Sequence, residues 1–175
     1  MKNSHFVQKV KKKFEWVIFL ILIMAIAGYI SAFHYQLLMI QGNSMLPCFH
    51  HLQIVVLDKQ SKEFNYGDVI AFQCDGLDAV LVKRIVACPG DTVCIEGGIL
   101  SVNGKVSEVY GKDVVFEYAG IIENELLIAD EHYFVIGDNV AKSMDSRYEK
   151  VGVIKMSNIQ GKVLEQQKAG ASIEK

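Results

Sequence analysis

The sequence predicts a mostly β protein, an antiparallel β-sandwich or partly closed barrel attached to one N-terminal transmembrane helix. Three observations predict it. Beyond residue 37 the apolar residues fall in short runs parted by turn signals, an Asn-Gly pair sits between two such runs, and one long apolar stretch stands near the N-terminus.

The N-terminal element is read first. Lys2, Lys9, Lys11, Lys12 and Lys13 precede any acidic residue, and Trp16 to Phe33 then runs WVIFLILIMAIAGYISAF without a charge. At ~1.5 Å rise per residue this stretch spans roughly 27 Å, close to the hydrocarbon thickness of a bilayer. A cleaved secretory signal also begins with lysines and an apolar run, and Ala25-Ile26-Ala27 has the form of its cleavage site. The run exceeds the apolar region of such a signal, however, and the Ala-x-Ala lies inside it. The reading is therefore a retained anchor over residues 15–34 behind a basic, cytoplasmic segment over 1–14. Lysines ahead of the span put the rest of the chain outside the cytoplasm, as a single-pass protein of the cell membrane with the lipid bilayer as its first partner.

The body, residues 35–165, is read as one domain. Its strand-like runs are 38–40, 54–57, 68–72, 79–87, 92–95, 114–118, 133–136 and 151–155, and the stretch 100–106 reads as a hairpin turning at Asn103-Gly104. A polar tail over 166–175 is expected to fray.

Composition narrows the function. With 175 residues, 51% of them hydrophobic, the chain forms a core and is not disordered. It has only two arginines and no basic stripe past residue 13, so no nucleic-acid partner is expected. The four cysteines show no C-x-x-C spacing and no histidine at a ligand offset, so neither zinc nor another metal or cofactor is implied. Cys88 and Cys94 flank a Pro-Gly-Asp turn, and the spacing allows a bridge between them; small free core residues is the reading taken.

Three segments can hold chemistry: Gly42-Asn43-Ser44-Met45-Leu46-Pro47, Val82 to Asp91, and Gly137 to Arg147. Alone, a serine between glycine and proline is an ordinary loop serine. Lys83 is the unusual residue. In a strand over 79–87, period two puts it on a face with Ala79, Leu81, Ile85 and Ala87, and Arg84 on the other. An ammonium on an apolar face is costly to bury charged, so its pKa falls, and a shift of about two to three units makes it a base near neutral pH. A snorkelling edge lysine is the ordinary alternative. Ser143, Asp145 and Arg147 share a face if their segment is extended; Asp145 and Arg147 then form a bracing pair and the Ser143 hydroxyl is free to orient a neutral amine. Gly137-Asp138-Asn139 reads as the turn that aims this segment.

The three segments, in this order and spacing, resemble the type I signal peptidases, the Ser-Lys endopeptidases that remove signal peptides from exported proteins. The resemblance runs from the lysine-rich start to about residue 163. It implies that Ser44 of Ser-Met-x-Pro is the nucleophile and Lys83 of the Lys-Arg motif the general base. It further implies that Ser143 positions the lysine while Asp145 and Arg147, with Gly137 and Asp138 of the Gly-Asp-Asn turn, support the site. Its substrates are exported preproteins, cut after small residues at −3 and −1. Tyr66-Gly67-Asp68-Val69-Ile70 is similar to a family β segment.

Some positions depart from the pattern. Val140 stands where many members have arginine, and Cys48 where threonine usually follows the proline. Gly42 offers no hydroxyl where some relatives place an oxyanion-donating serine, which leaves the Ser44 N–H and a second, unnamed donor. His50 and His51 near Ser44 fit no family position and read as exposed loop residues. Two further readings stand beside this one: a processing peptidase dedicated to one secretion or conjugation system, and a catalytically silent membrane-anchored binding module.

Overall fold

The computed structural model describes residues 2–164, leaving the side chains of residues 2–10 and 30–32 and the polar tail over 166–175 outside the described set. The chain divides into two units, one ending at Gln36 and one beginning at Leu37.

The first unit is helix α1, Lys2–His34, rich in Leu, Ile, Met, Ala and Lys and free of proline. From Trp16 to Tyr29 its large apolar side chains are all exposed, so this helix is apolar around its circumference rather than along one stripe. Among the described residues no helix is long and apolar enough to cross a membrane. The expected span Trp16–Phe33 passes through residues 30–32, whose side chains lie outside that set.

After α1 come β1 Tyr35–Met39, which crosses the boundary between the units, and the antiparallel strands of the second unit: β2 Ile54–Asp58, β3 Val69–Cys74, β4 Ala79–Ala87, β5 Thr92–Glu96, β6 Ile99–Val102, β7 Lys105–Val106, β8 Leu126–Leu127, β9 His132–Ile136, β10 Ile154–Lys155 and β11 Ile159–Leu164. A larger sheet runs β1-β2-β11-β3-β4-β9-β10 and a smaller one β7-β6-β5-β8. Neither closes on itself, so the expected partly closed barrel gives way to two open sheets. β6 and β7 form the hairpin, with Asn103 and Gly104 at φ of 53° and 72° as a tight turn between right-twisted strands demands.

Two expected strands are otherwise. Residues 114–118 join no sheet: Phe116 N–H reaches Gly98 O, its ring enters the core with Tyr110 and Ile122, and Val115 is left exposed. In 151–155 only Ile154–Lys155 pairs, because the chain turns at Gly152 with φ of 58°. Two strands were not anticipated, the two-residue β8 and the longer β11, which lies between β2 and β3. Its Gly161 permits that position, since a Cβ there would stand 2.4 Å from Asp58 O.

Packing falls into three clusters. One, around Met45, Phe49, Val55, Leu57, Val69, Ala71 and Val163, anchors the loop after β1; a second holds Phe64, Ile70, Phe72, Ile85 and Val135; the third holds Val86, Ala87, Val93, Leu100 and Phe134. β4 thus contributes to all three, because its register shifts between Ile85 and Ala87 and the period-two alternation breaks there. Ala87 therefore leaves the face of Leu81 and Ile85 that strict alternation assigns it.

Candidate active site

Ser44 sits in the loop joining β1 to β2, which is closed at its base by Ile40 N–H to Gln53 O and Leu52 N–H to Ile40 O. Met45, almost wholly buried, pins the turn into the core, and Phe49 N–H donates to Met45 O. Gly42 takes φ of 89°, a left-handed conformation glycine adopts without penalty, and its N–H donates to His51 Nδ1 at 2.9 Å. From across the fold Asn139 N–H donates to Ser44 O at 2.9 Å and Asn139 Nδ2 to Asn43 O at 3.1 Å. The turn is held from three sides. No acceptor among the described residues takes the Ser44 N–H.

Lys83 is 3% exposed and its Nζ lies 2.7 Å from Ser44 Oγ. Burial drives its pKa from 10.5 down to about 8, against the opposing pull of the Asp145 and Asp138 carboxylates. That difference corresponds to roughly 3 kcal/mol of preference for the neutral amine. At pH 8 about half of the molecules hold it neutral, and the Ser44 hydroxyl can then donate to the amine lone pair.

Those carboxylates occupy the chain's two arginines. Arg84 Nε and Nη2 each meet Asp138 at 2.8 Å, and Arg84 Nη1 donates to Gly67 O. Arg147 Nε and Nη2 meet Asp145 at 2.8 and 2.9 Å; Asp145 is 0% exposed and Arg147 2%. Arg147 also donates to the carbonyls of Tyr118, Val140 and Ser143, and its guanidinium lies over the Phe116 ring. With both carboxylates charge-balanced by arginine, neither needs an ammonium on Lys83.

Gly137 is where these parts meet. Its N–H donates to Asp145 Oδ2 and its carbonyl accepts Tyr110 Oη–H, a phenol that burial pushes well above its ordinary pKa and so keeps as a neutral donor. A Cβ on Gly137 would fall 2.3 Å from Ser143 Oγ and 2.5 Å from Ser44 O. The Ser143 hydroxyl is buried and makes no hydrogen bond among the described residues, so the bond to Lys83 expected of it is not formed. Nor is 143–147 an extended strand: Ser146 is buried along with its neighbours, its Oγ accepting the Val135 N–H and its own N–H donating to Val135 O.

A groove of about 340 Å³ leads to Ser44 and Lys83, lined by Leu38, Ile40, Met45, Leu81 and Val82 among others. One wall is a strand edge. β4 pairs β3 from Ala79 to Arg84, but pairs β9 only from Arg84 onward, so its 79–83 edge has no strand partner among the described residues.

A family model described as signal peptidase, peptidase S26, matches residues 13–166. The chain belongs to the signal peptidase family. Signal peptidase I S of Bacillus subtilis (strain 168) is 34% identical over 158 residues, 84% of each chain. Signal peptidase I of Bacillus licheniformis is 31% identical over 172 residues, 92% of this chain and 91% of that one. A solved signal peptidase I from Enterococcus faecalis V583 is 26% identical and covers 58% of this chain and 97% of that one, with a TM-score of 0.48. This signal peptidase is a serine endopeptidase of the kind that cleaves signal peptides.

Ser44, Lys83, Gly137, Asp138, Ser143, Asp145 and Arg147 are thus gathered in one place. Sequence reasoning did not reach Tyr110, Asn139 as a clamp on Ser44, or His51 as acceptor for Gly42. Tyr110 lies in a stretch without motif or period. His51 carried a signal in its position seven residues after the nucleophile, which a loop folding back on itself brings to Gly42. Cys74, Cys88 and Cys94 are free thiols, so no bridge joins Cys88 to Cys94; Cys74 is buried and Cys88 and Cys94 are half-buried.

Proposed function

We propose that this signal peptidase cleaves exported preproteins with Ser44 as nucleophile and Lys83 as general base. The observation that supports it most is a buried lysine, its pKa lowered to about 8, standing 2.7 Å from a serine hydroxyl. Neutral Lys83 takes the Ser44 proton as Oγ attacks the scissile carbonyl. The resulting ammonium then protonates the leaving amine, and the neutral amine so restored activates the water that hydrolyses the acyl-enzyme. The unengaged Ser44 N–H suits the developing oxyanion, whereas the Gly42 N–H is committed to His51. Ser143 acts as a positioning residue, its unsatisfied hydroxyl being available to Lys83 once the amine turns over; the Asp145–Arg147 and Asp138–Arg84 pairs support Gly137 and the lysine.

An extended substrate completes the open edge of β4 with backbone hydrogen bonds. In such a peptide the −1 and −3 side chains point the same way, and a groove of about 340 Å³ between Leu38, Ile40, Met45 and Leu81 accepts small ones. The exposed apolar circumference of α1 is the surface by which the enzyme sits in the cell membrane as a single-pass protein, with a basic cytoplasmic segment over 1–14, an anchor over 15–34 and the catalytic domain outside the cytoplasm.

The test is cleavage of a preprotein by the purified protein in detergent, comparing wild type with Ser44→Ala and Lys83→Ala from pH 6 to 10. Each variant is expected to lose roughly 10³-fold or more in rate. Either one cutting at the wild-type rate overturns the assignment.

A further inference from the structure

Gly137 is pinned at both ends of its backbone, and the pin on its carbonyl comes from a part of the chain that carries no site motif. Tyr110 is 8% exposed and its Oη donates to Gly137 O at 3.3 Å, the one hydrogen bond this hydroxyl makes among the described residues. Its ring meets Phe116 edge to face at 5.4 Å, and the Arg147 guanidinium lies over Phe116. Asp138, Asp145, Arg84 and Arg147 all stand near enough to act on the phenol. Tyr110 therefore sits between the two ion pairs, and it is not among the residues that line the groove.

The turn that carries Tyr110 is itself anchored. Gly111 N–H donates to Ser107 O, Val109 N–H donates to Tyr66 Oη at 3.1 Å, and Tyr66 Oη and Ser107 Oγ stand 2.7 Å apart. Tyr66 is the chain neighbour of Gly67, whose carbonyl accepts Arg84 Nη1. The hydrogen bonds thus close a circuit. It runs from Arg84 through Gly67 and Tyr66 to the 107–111 turn, from Tyr110 to Gly137, and from Asp138 back to Arg84. Lys83 adjoins Arg84 in this circuit, and Gly137 stands within it, against Ser44 O and Ser143 Oγ. A buried carbonyl that loses its donor is costly, so Gly137 keeps this partner or moves to find another.

Resting on the Ser44–Lys83 reading, we propose that Tyr110 is a positioning residue for the catalytic pair. Its hydroxyl holds the Gly137 carbonyl, and with it the 137–139 turn from which Asn139 clamps Ser44. A phenol suits this task because burial keeps it a neutral donor, which fixes the turn without adding a charge beside the lysine. When the bond is lost the turn relaxes, and Ser44 drifts from Lys83.

Steady-state cleavage of a preprotein by the full chain in detergent tests this, with Ser44→Ala and Lys83→Ala run alongside. Tyr110→Phe keeps the ring and its packing against Phe116 and loses only the hydroxyl. Its kcat is expected to fall about 10-fold with KM unchanged, a part of the roughly 10²-fold that a ~1 Å displacement can cost. Tyr133→Phe, which removes another buried phenol from the cluster around Phe64 and Ile85, keeps the wild-type kcat. The discriminating measurement combines Tyr110→Phe with Asn139→Ala, which removes the side-chain half of the clamp. Both act on Ser44 through one turn, so the double variant falls little below the slower single variant, whereas a mere loss of folded enzyme multiplies the two effects. Tyr66→Phe loosens the same strap from its far end; it shows a smaller fall in kcat with the same coupling, and carries the test if Tyr110→Phe does not fold. A wild-type kcat in Tyr110→Phe, or multiplied losses in the double variant, overturns the proposal, and inactive Ser44→Ala and Lys83→Ala then leave the catalytic reading standing. Wild-type activity in either of those two overturns the reading itself.

Discussion

Arg84 and Asp138 meet as a two-bond fork, Nε to Oδ1 and Nη2 to Oδ2, both at 2.8 Å. Each is the chain neighbour of a residue in the site, Arg84 of Lys83 and Asp138 of Gly137, so the fork ties the strand bearing the lysine to the turn that closes over Ser44. Asp138 also helps to hold the lysine pKa up. In Asp138→Asn that attraction is lost, and the apparent pKa of kcat/KM should move below the wild-type value of about 8, by up to about one unit. Rate–pH profiles of the two enzymes check this, and an upward movement would show that Asp138 does not act on Lys83 through its charge.

Lysine 83 should also make stability depend on pH. Its folded pKa of about 8 lies below the unfolded 10.5, so between these values the unfolded chain binds more protons and stability rises with pH. Below pH 8 both states are protonated and the folded state bears the full cost, roughly 3 kcal/mol; above 10.5 the cost is gone. Lys83→Met removes this dependence. Thermal unfolding of the variant should be flatter than wild type between pH 8 and 10.5, with a higher Tm at pH 7.

Gly137→Ala places a methyl where Ser143 Oγ and Ser44 O already stand, at 2.3 and 2.5 Å. One contact is a side chain that can rotate. The other is backbone of the nucleophile's own residue, so Ser44 must shift. A loss of about 10²-fold in kcat is expected from the displaced serine, with about 1–3 kcal/mol of destabilisation from overpacking. A stability loss without a kcat loss would place the movement on Ser143 alone.

How much of this was legible before the structure follows from how local each signal is. Residues 79–87 form the strand over the very bounds expected, because a short run in which only Lys83 and Arg84 are not apolar needs no partner to be recognised, and Lys83 drew attention as a charge on its apolar face. β11 escaped because IQGKVL has a glycine and two polar residues among few apolar ones; it is a strand only because β2 and β3 leave a gap that Gly161 fits. Residues 114–118 misled in the opposite sense, their β-branched and aromatic run serving a loop whose Phe116 caps the core. The site divides likewise. Asp145 and Arg147, two apart, were visible as a pair, while the contact of Asn139 with Ser44 joins residues far apart in sequence and only the fold reveals it.

His51 gives the last prediction. Its Nδ1 accepts the Gly42 N–H, two residues before the nucleophile, and this requires the ring proton to lie on Nε2. The loop is exposed, so His51→Ala returns the Gly42 amide to water and costs under about 1 kcal/mol of stability. Its effect on rate should be larger than that cost suggests, because the tie sets the left-handed turn that presents Ser44. We expect a several-fold fall in kcat with KM unchanged. In His51→Asn the side-chain oxygen can stand near the position of Nδ1 and accept the same hydrogen, restoring most of kcat. Steady-state kinetics of both variants decide it: if alanine matches wild type, the hydrogen bonds of Ile40 with Gln53 and Leu52 suffice to hold the turn.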